Sequence, residues 1–280
     1  MTWTYSEEYY KRYTRDTWNE SAPEYEPVEA VLDAWNPDLL AAAAPRAGER
    51  VLDVATGRGE PALSLAHAVG PAGRVLGIDL SERMVELARE RAKRLGVGNA
   101  AFEVMDAELL DVPRGSVDLV TCRFGLQIVT NPEKAIAEAL AALKPGGRLA
   151  ATVWGPGEKN PFIHCIIGPM LEFAEPDETG YLPTPYEMGG PGELVGILRA
   201  AGFADARESR VTHPVVFASE DAYMRSVLKG TPIGHSLSEE EPDVQAQVLA
   251  RTKENLARFR ASDGTYRMTG EAVVVSARKP

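Results

Sequence analysis

The strongest constraint on this chain is an alternation of short apolar runs with single amphipathic stretches between residues 46 and 154. Arg50–Ala55 (RVLDVA), Arg74–Asp79 (RVLGID), Ala101–Met105, Val117–Cys122 (VDLVTC) and Arg148–Trp154 read as strands. Between them, Ala62–Val69, Ser81–Leu95 and Asn131–Leu143 carry the spacing of helices. Ser81 reads as an N-cap and Gly96 as the stop of its helix, while Lys144-Pro145-Gly146-Gly147 ends the third. Strands joined by single helices pair in parallel through right-handed crossovers. The expected fold is therefore α/β, a doubly wound Rossmann-like sheet.

Three zones surround this pattern, and they are read as one domain over 1–280. Residues 1–45 form an N-terminal helical lid, 46–154 the ligand-binding core, and 155–280 a cap with the final strands. Eight of the 20 aromatic residues fall in the first 35 positions: Trp3, Tyr5, Tyr9, Tyr10, Tyr13, Trp18, Tyr25 and Trp35. Late in the chain, Leu194–Ala201 is helical, and Ala206–Phe217 and Gly270–Ala277 are strand-like. A helix is expected to begin near Ser238, with Glu241 completing a capping box and Val244, Val248, Leu249, Leu256 and Phe259 on its apolar face.

Composition narrows the class. A hydrophobic fraction of 44% and a charged fraction of 25% suit an ordinary globular protein. The two cysteines, Cys122 and Cys165, make no disulfide framework, and no apolar run approaches the length of a membrane span. A cytoplasmic setting is expected. The formal charge of −11 repels phosphate backbones, so no nucleic-acid partner is expected. The densest basic stretch, Arg83–Arg94, alternates with Glu86 and Glu90 and reads as a solvated helix face.

The segment Asp53-Val-Ala-Thr-Gly57-Arg-Gly59-Glu-Pro61 follows the first strand directly. Glycines there let the backbone turn tightly and approach a ligand, and the next helix opens with free N–H groups. Asp79 ends the second strand, where a carboxylate can accept from two ribose hydroxyls. Asp106 follows the third, where it can accept from an adenine amino group between Met105 and Ala107. Each Asp alone is equally a helix cap or a solvated strand end. Together they mark the sheet edge at which ligands of open α/β sheets bind. A dinucleotide fingerprint fits less well, because position 62 is Ala where Gly-x-Gly-x-x-Gly needs glycine.

These stretches resemble the class I S-adenosylmethionine-dependent methyltransferases, and within them the ubiquinone/menaquinone biosynthesis C-methyltransferase family and related natural-product enzymes. The resemblance rests on VLDVATGRGEPAL (51–63), VLGIDLSERMVELAR (75–89), FEVMDAELL (102–110), the run from 117 to 149 and AAGF (200–203). It implies seven strands with the last antiparallel, an N-terminal helical lid and inserted cap helices. It implies S-adenosylmethionine as cofactor and S-adenosylhomocysteine as product. By this resemblance Gly57 and Gly59 pack against the methionine part, Asp53 orients its amino group, Asp79 holds the ribose, Met84 lies by the nucleoside, Asp106 and Ala107 meet adenine, and Arg123 lines the sulfonium end. Trp18 and Tyr25 of the lid, with Ala55, Leu80 and Met105, complete the expected cofactor-binding set. Pro61 stands where the family pattern has a third glycine.

Methyl transfer from a sulfonium needs alignment above all, and a base only when the nucleophile keeps its proton. His164 and His235 lie in the segments expected to cap the acceptor and are the candidate bases; His67 and His213 read as structural. No metal-ligand spacing is evident. The acceptor wall is expected from Pro161–Ala174, the loop Asp177–Gly192 with Tyr181 and Tyr186, and Tyr223 with Met224. The implied reaction is methyl transfer to a carbon or oxygen of a small apolar or aromatic metabolite, in a monomer or homodimer. The competing readings are a nicotinamide-dependent oxidoreductase and a protein that binds the cofactor for a reaction other than methyl transfer.

Overall fold

The structure, a computed structural model, describes residues 7–173 and 186–280. Trp3, Tyr5, Ala174, Tyr181 and the loop from 177 to 185 lie outside the described residues.

The chain begins with three helices, α1 (Glu7–Ser21), α2 (Glu26–Leu32) and α3 (Asn36–Ala43). The alternating zone follows as β1 (Arg50–Val54), α4 (Ala62–Val69), β2 (Arg74–Asp79), α5 (Glu82–Leu95), β3 (Ala100–Val104), β4 (Val117–Arg123), α6 (Pro132–Ala142) and β5 (Leu143–Trp154). Then come α7 (Pro161–Phe173), α8 (Glu193–Ala200), β6 (Ala204–Phe217), α9 (Glu220–Gly230), α10 (Ile233–Ser238), α11 (Pro242–Ala257) and β7 (Tyr266–Arg278).

The seven strands make one sheet in the order β3-β2-β1-β4-β5-β7-β6. The first five pair in parallel, and β7 inserts antiparallel between β5 and β6. The alternation in β1 shows why both faces are covered. Leu52 and Val54 face one apolar cluster with Ile136, Leu194 and Leu198, while Val51 faces the other with Leu39, Leu65 and Val85. Period-two side chains thus feed two helical layers. A third cluster joins the lid helices, α7, α9 and α11 over the end of the sheet.

Local signals explain most boundaries. Ser81 Oγ accepts from the Met84 N–H at 3.1 Å and Gly96 closes the helix at φ +68°. Asn131 caps α6 through the Lys134 N–H at 3.0 Å. Two expectations need correction. The Lys-Pro-Gly-Gly segment does not separate α6 from β5: Leu143 already pairs with Val117, and the Gly146 N–H and Gly147 carbonyl bond to Lys279, one residue past the end of β7. Nor does Ser238 start a helix. It ends α10 with its hydroxyl on the His235 carbonyl at 2.7 Å, and α11 begins at Pro242, whose fixed φ and missing N–H suit a first helical position.

The basic stretch on α5 is more than a solvated face. Arg83 pairs with Glu86 at 2.8 Å on the surface, but Arg91 reaches Glu29 of α2 at 2.8 Å and Arg89 donates to the Phe102 carbonyl at 2.9 Å. Among the described residues no helix is long and apolar enough to cross a membrane. Both cysteines are free and buried.

Candidate active site at the carboxyl edge of the sheet

The glycine loop is anchored by Asp53, which is fully buried at the end of β1. Its two oxygens each accept a hydroxyl, from Thr56 and from Thr121 of β4, both at 2.6 Å. Burial pushes its carboxyl up to about 6, and the two hydroxyls oppose that rise. The strand is followed by backbone in the left-handed region: Ala55 at φ +53°, Gly57 at +55° and Gly59 at +101°. Gly57 also faces Tyr25, since a Cβ there would lie 3.8 Å from the ring. The loop is fixed by its own N–H groups, Thr56 to the Ile78 carbonyl at 2.9 Å and Gly59 to the Thr56 carbonyl at 3.0 Å, beneath the Tyr25 ring.

Asp79 spans the next gap. Its carboxylate accepts the Gly57 N–H at 2.8 Å and the Ser81 N–H at 2.9 Å, tying β2 to the glycine loop. Burial holds its carboxyl above the usual range while these backbone donors pull it back. The Leu80 N–H is a further backbone donor to this carboxylate. Leu80 follows, half-buried, and Met84 is buried in the first turn of α5. Met105, Asp106 and Ala107 sit half-buried beyond β3, with Asp106 accepting the Glu108 N–H at 2.8 Å.

The lid closes over this edge through polar contacts that periodicity does not reveal. Lys11 of α1 reaches Asp106 at 2.8 Å, Glu108 at 2.7 Å and Glu7 at 3.1 Å. Burial works against its charge, yet the three carboxylates hold the ammonium well above its ordinary value. Asn19 Oδ1 accepts from the Ser81 hydroxyl at 2.6 Å and the Arg83 N–H at 3.1 Å. Trp18 meets Tyr25 edge-on at 5.6 Å. Arg123, buried at the end of β4, donates to Asp33 and Asn36 of the lid, both at 2.7 Å. Its charge is thereby matched within the site.

Sequence reasoning placed the strand-end carboxylates but not their partners. Thr121 lies 68 residues from Asp53 and Lys11 lies 95 from Asp106. The pairing of β1 with β4 joins the first pair, and the packing of α1 over the sheet edge joins the second.

The histidines separate. His164 is exposed on α7, 6.3 Å ring to ring from Tyr186. His235 is engaged at α1, with Nδ1 2.9 Å from Glu20 and its ring edge-on to Tyr13 at 5.6 Å. His67 binds the Leu63 carbonyl at 2.9 Å and His213 binds Asp38 at 2.7 Å, as structural roles require. No cluster of His, Cys, Asp and Glu suited to a metal ion occurs among the described residues. Of the residues expected to wall an acceptor, Phe162, Ile166 and Met170 of α7 share one apolar cluster with fully buried Tyr223, and Met224 packs beside them.

A parallel sheet with one late antiparallel strand, carrying carboxylates at the ends of β1 and β2 and just past β3 around a glycine loop, defines the Rossmann-like methyltransferase class. A family model described as a methyltransferase domain matches residues 45–161. The ubiquinone/menaquinone biosynthesis C-methyltransferase UbiE of Saccharophagus degradans is 31% identical over 193 residues, covering 65% of this chain and 78% of that one. The corresponding protein of Pseudomonas fluorescens is 47% identical over 105 residues, 37% of this chain; the match spans 41% of that relative's length. A crystal structure of a putative methyltransferase from Bacillus halodurans shares the fold with a TM-score of 0.59 and 24% identity, over 88% of this chain and 99% of that one. The chain belongs to the class I S-adenosylmethionine-dependent methyltransferases.

Proposed function

We propose that this protein transfers the methyl group of S-adenosylmethionine to a carbon or oxygen of a small, apolar or aromatic metabolite, releasing S-adenosylhomocysteine. The observation that carries this reading is the succession of Asp53, Asp79 and Asp106 along one sheet edge, around a loop whose residues 55, 57 and 59 all have positive φ. The donor set fits the cofactor. Asp79 would accept from the ribose hydroxyls beside its backbone donors, and Asp106 from an adenine amino group flanked by Met105 and Ala107 beside its contact with Lys11. Gly57, Gly59 and Ala55 give the methionine part close backbone approach, and Asp53 sets that loop through Thr56. Leu80 and Met84 border the nucleoside. Tyr25, with Trp18 against its edge, covers the loop as an aromatic face toward a cation.

When bound, the cofactor supplies a methyl group on a sulfonium, transferred in line as the S–C bond breaks and the new C–C or C–O bond forms. The residues of this chain align the partners and exclude water, effects worth roughly 7–11 kcal/mol in favourable cases. The contact of Arg123 with Asp33 balances its charge where a second cation must sit. His164 stands beside the groove between α7 and α11 and is the better-placed candidate base of the two. His235 is tied to Glu20 and takes no part in this reading. The acidic surface supports a small-molecule partner over a nucleic acid.

Calorimetric titration tests the reading. Saturable one-to-one binding of S-adenosylmethionine and of S-adenosylhomocysteine, with none of NAD, is expected. A folded protein that binds neither sulfur compound overturns it. Phenolic and quinone-like acceptors are then screened for a product heavier by one methyl group.

A further inference from the structure

Two phenol hydroxyls are buried with no hydrogen-bond partner among the described residues. Tyr223 of α9 is fully buried, with its ring edge-on to Phe217 at 5.1 Å, and its hydroxyl has no hydrogen-bond partner among the described residues. Tyr186, just ahead of α8, lies on the backbone of Gly157, where an added Cβ would sit 3.2 Å from the ring. Its hydroxyl is buried and equally without a partner among the described residues. Cys165 of α7 is within electrostatic reach of both phenols, and Tyr186 of Tyr223. Tyr223 and Cys165 belong to one apolar cluster, and Tyr186 packs against it. Buried hydroxyls nearly always find partners, so two orphans together point to a group that arrives from outside.

The chemistry of that group can be read from the side chains around the two hydroxyls. Burial raises both phenols above their usual range and Cys165 to about 11, so all three keep their protons at neutral pH. The phenols act as neutral donors, suited to an accepting oxygen. The surrounding cluster continues through Phe162 and Trp154 to Phe124, Met84 and Tyr25, the residues that border the glycine loop and the start of α5. A groove of about 380 Å³ between α7 and α11, lined in part by His164, Arg251 and Arg258, reaches Cys165 from solvent.

We propose that the hydroxyls of Tyr186 and Tyr223 are the hydrogen-bond donors that hold an oxygen atom of the methyl acceptor, and so select an apolar molecule bearing a carbonyl or hydroxyl oxygen. This assignment rests on the methyl-transfer reading.

The test uses the whole chain saturated with S-adenosylhomocysteine and two probes of one carbon skeleton, 1-tetralone and tetralin, titrated by ligand-observed NMR. The wild type is expected to bind the ketone at least tenfold more tightly than the hydrocarbon. Y186F and Y223F should each shrink that preference below threefold, leave S-adenosylhomocysteine affinity unchanged by calorimetry, and melt at the same temperature or higher. Equal or absent binding of both probes by the wild type overturns the proposal, as does a preference that survives in both variants. A melting temperature several degrees lower in either variant overturns it too, because the hydroxyl then has a structural partner such as a resident water. Failure of the wild type to bind S-adenosylhomocysteine sinks the methyl-transfer reading instead, and the acceptor assignment with it.

Discussion

Asp53 shows how one residue serves fold and site against its own solvation. Its folded pKa of about 6 lies above the ordinary value of 3.8, so the native state binds the proton more tightly than the unfolded chain. Its contribution is intact below about pH 4, is lost as pH rises through 6, and amounts to a penalty on the order of 2–3 kcal/mol above that. Asp53→Asn, whose amide can still serve Thr56 and Thr121, should equal or exceed the wild type in denaturant midpoint at pH 8, with the advantage gone by pH 4. Asp79→Ala should weaken S-adenosylhomocysteine binding a hundredfold or more, about 3 kcal/mol for two bonds to a charged acceptor. Calorimetry that finds unchanged affinity in the folded variant removes Asp79 from the site. Trp18 is half-buried and rests on Tyr25, so Trp18→Ala should lower turnover more than melting temperature. At this scale the sequence announces residues that stand at strand ends, because a strand followed by Gly or Asp is a local pattern. It is silent on Thr121 and Lys11, whose roles arise from neighbours far along the chain, and it names Tyr186 and Tyr223 as wall residues without showing that their hydroxyls are buried.

Helix α1 is held to the sheet edge by few charges rather than by a broad apolar face. Of its residues only Thr17 and Ser21 are buried. Lys11 is one tie, beside Asn19 to Ser81 and Tyr13 to Ser236, and Glu108, its carboxylate partner at 2.7 Å, is almost wholly enclosed. Lys11→Ala leaves that carboxylate without its cation and should cost about 2 kcal/mol or more. Hydrogen exchange should then report a tenfold or larger loss of protection over residues 7–21, with α4 unchanged. Adding Glu108→Gln should recover part of the loss. A different tie fixes α3: Arg148 of β5 donates to the carbonyls of Ala43 and Ala44 while pairing with Glu49 at 2.6 Å. Arg148→Ala should lower stability by about 3 kcal/mol, measured in urea, since it orphans both carbonyls and a carboxylate. Elements with a strong period and a local cap, such as α5, were legible to the residue. The cap region was less so. Ser-Glu-Glu-Glu imitates a capping box at 238–241, but Pro242 offers the better first turn, and the Ser238 hydroxyl is spent on a carbonyl behind it.

Seen whole, the molecule places its last strand inside the sheet. β7 pairs with β5 along Arg148–Trp154 and with β6 along Ala204–Phe217, so neither neighbour touches the other. Removing residues 266–280 should leave soluble α/β structure around β1 to β5 at most and abolish the cooperative melt seen by circular dichroism. The doubly wound half was legible because each crossover is local. The antiparallel insertion was not derivable from periodicity, since β6 and β7 could equally pair as a hairpin at the rim. That order has a consequence for synthesis. While the ribosome is still making α9 to α11, β5 already stands with its apolar Leu149–Trp154 flank as an open rim, and the strand that covers it has yet to be translated. The newborn chain must pass through a stage that invites other strands to fill the gap, and chaperones that shield such rims should matter most in that interval.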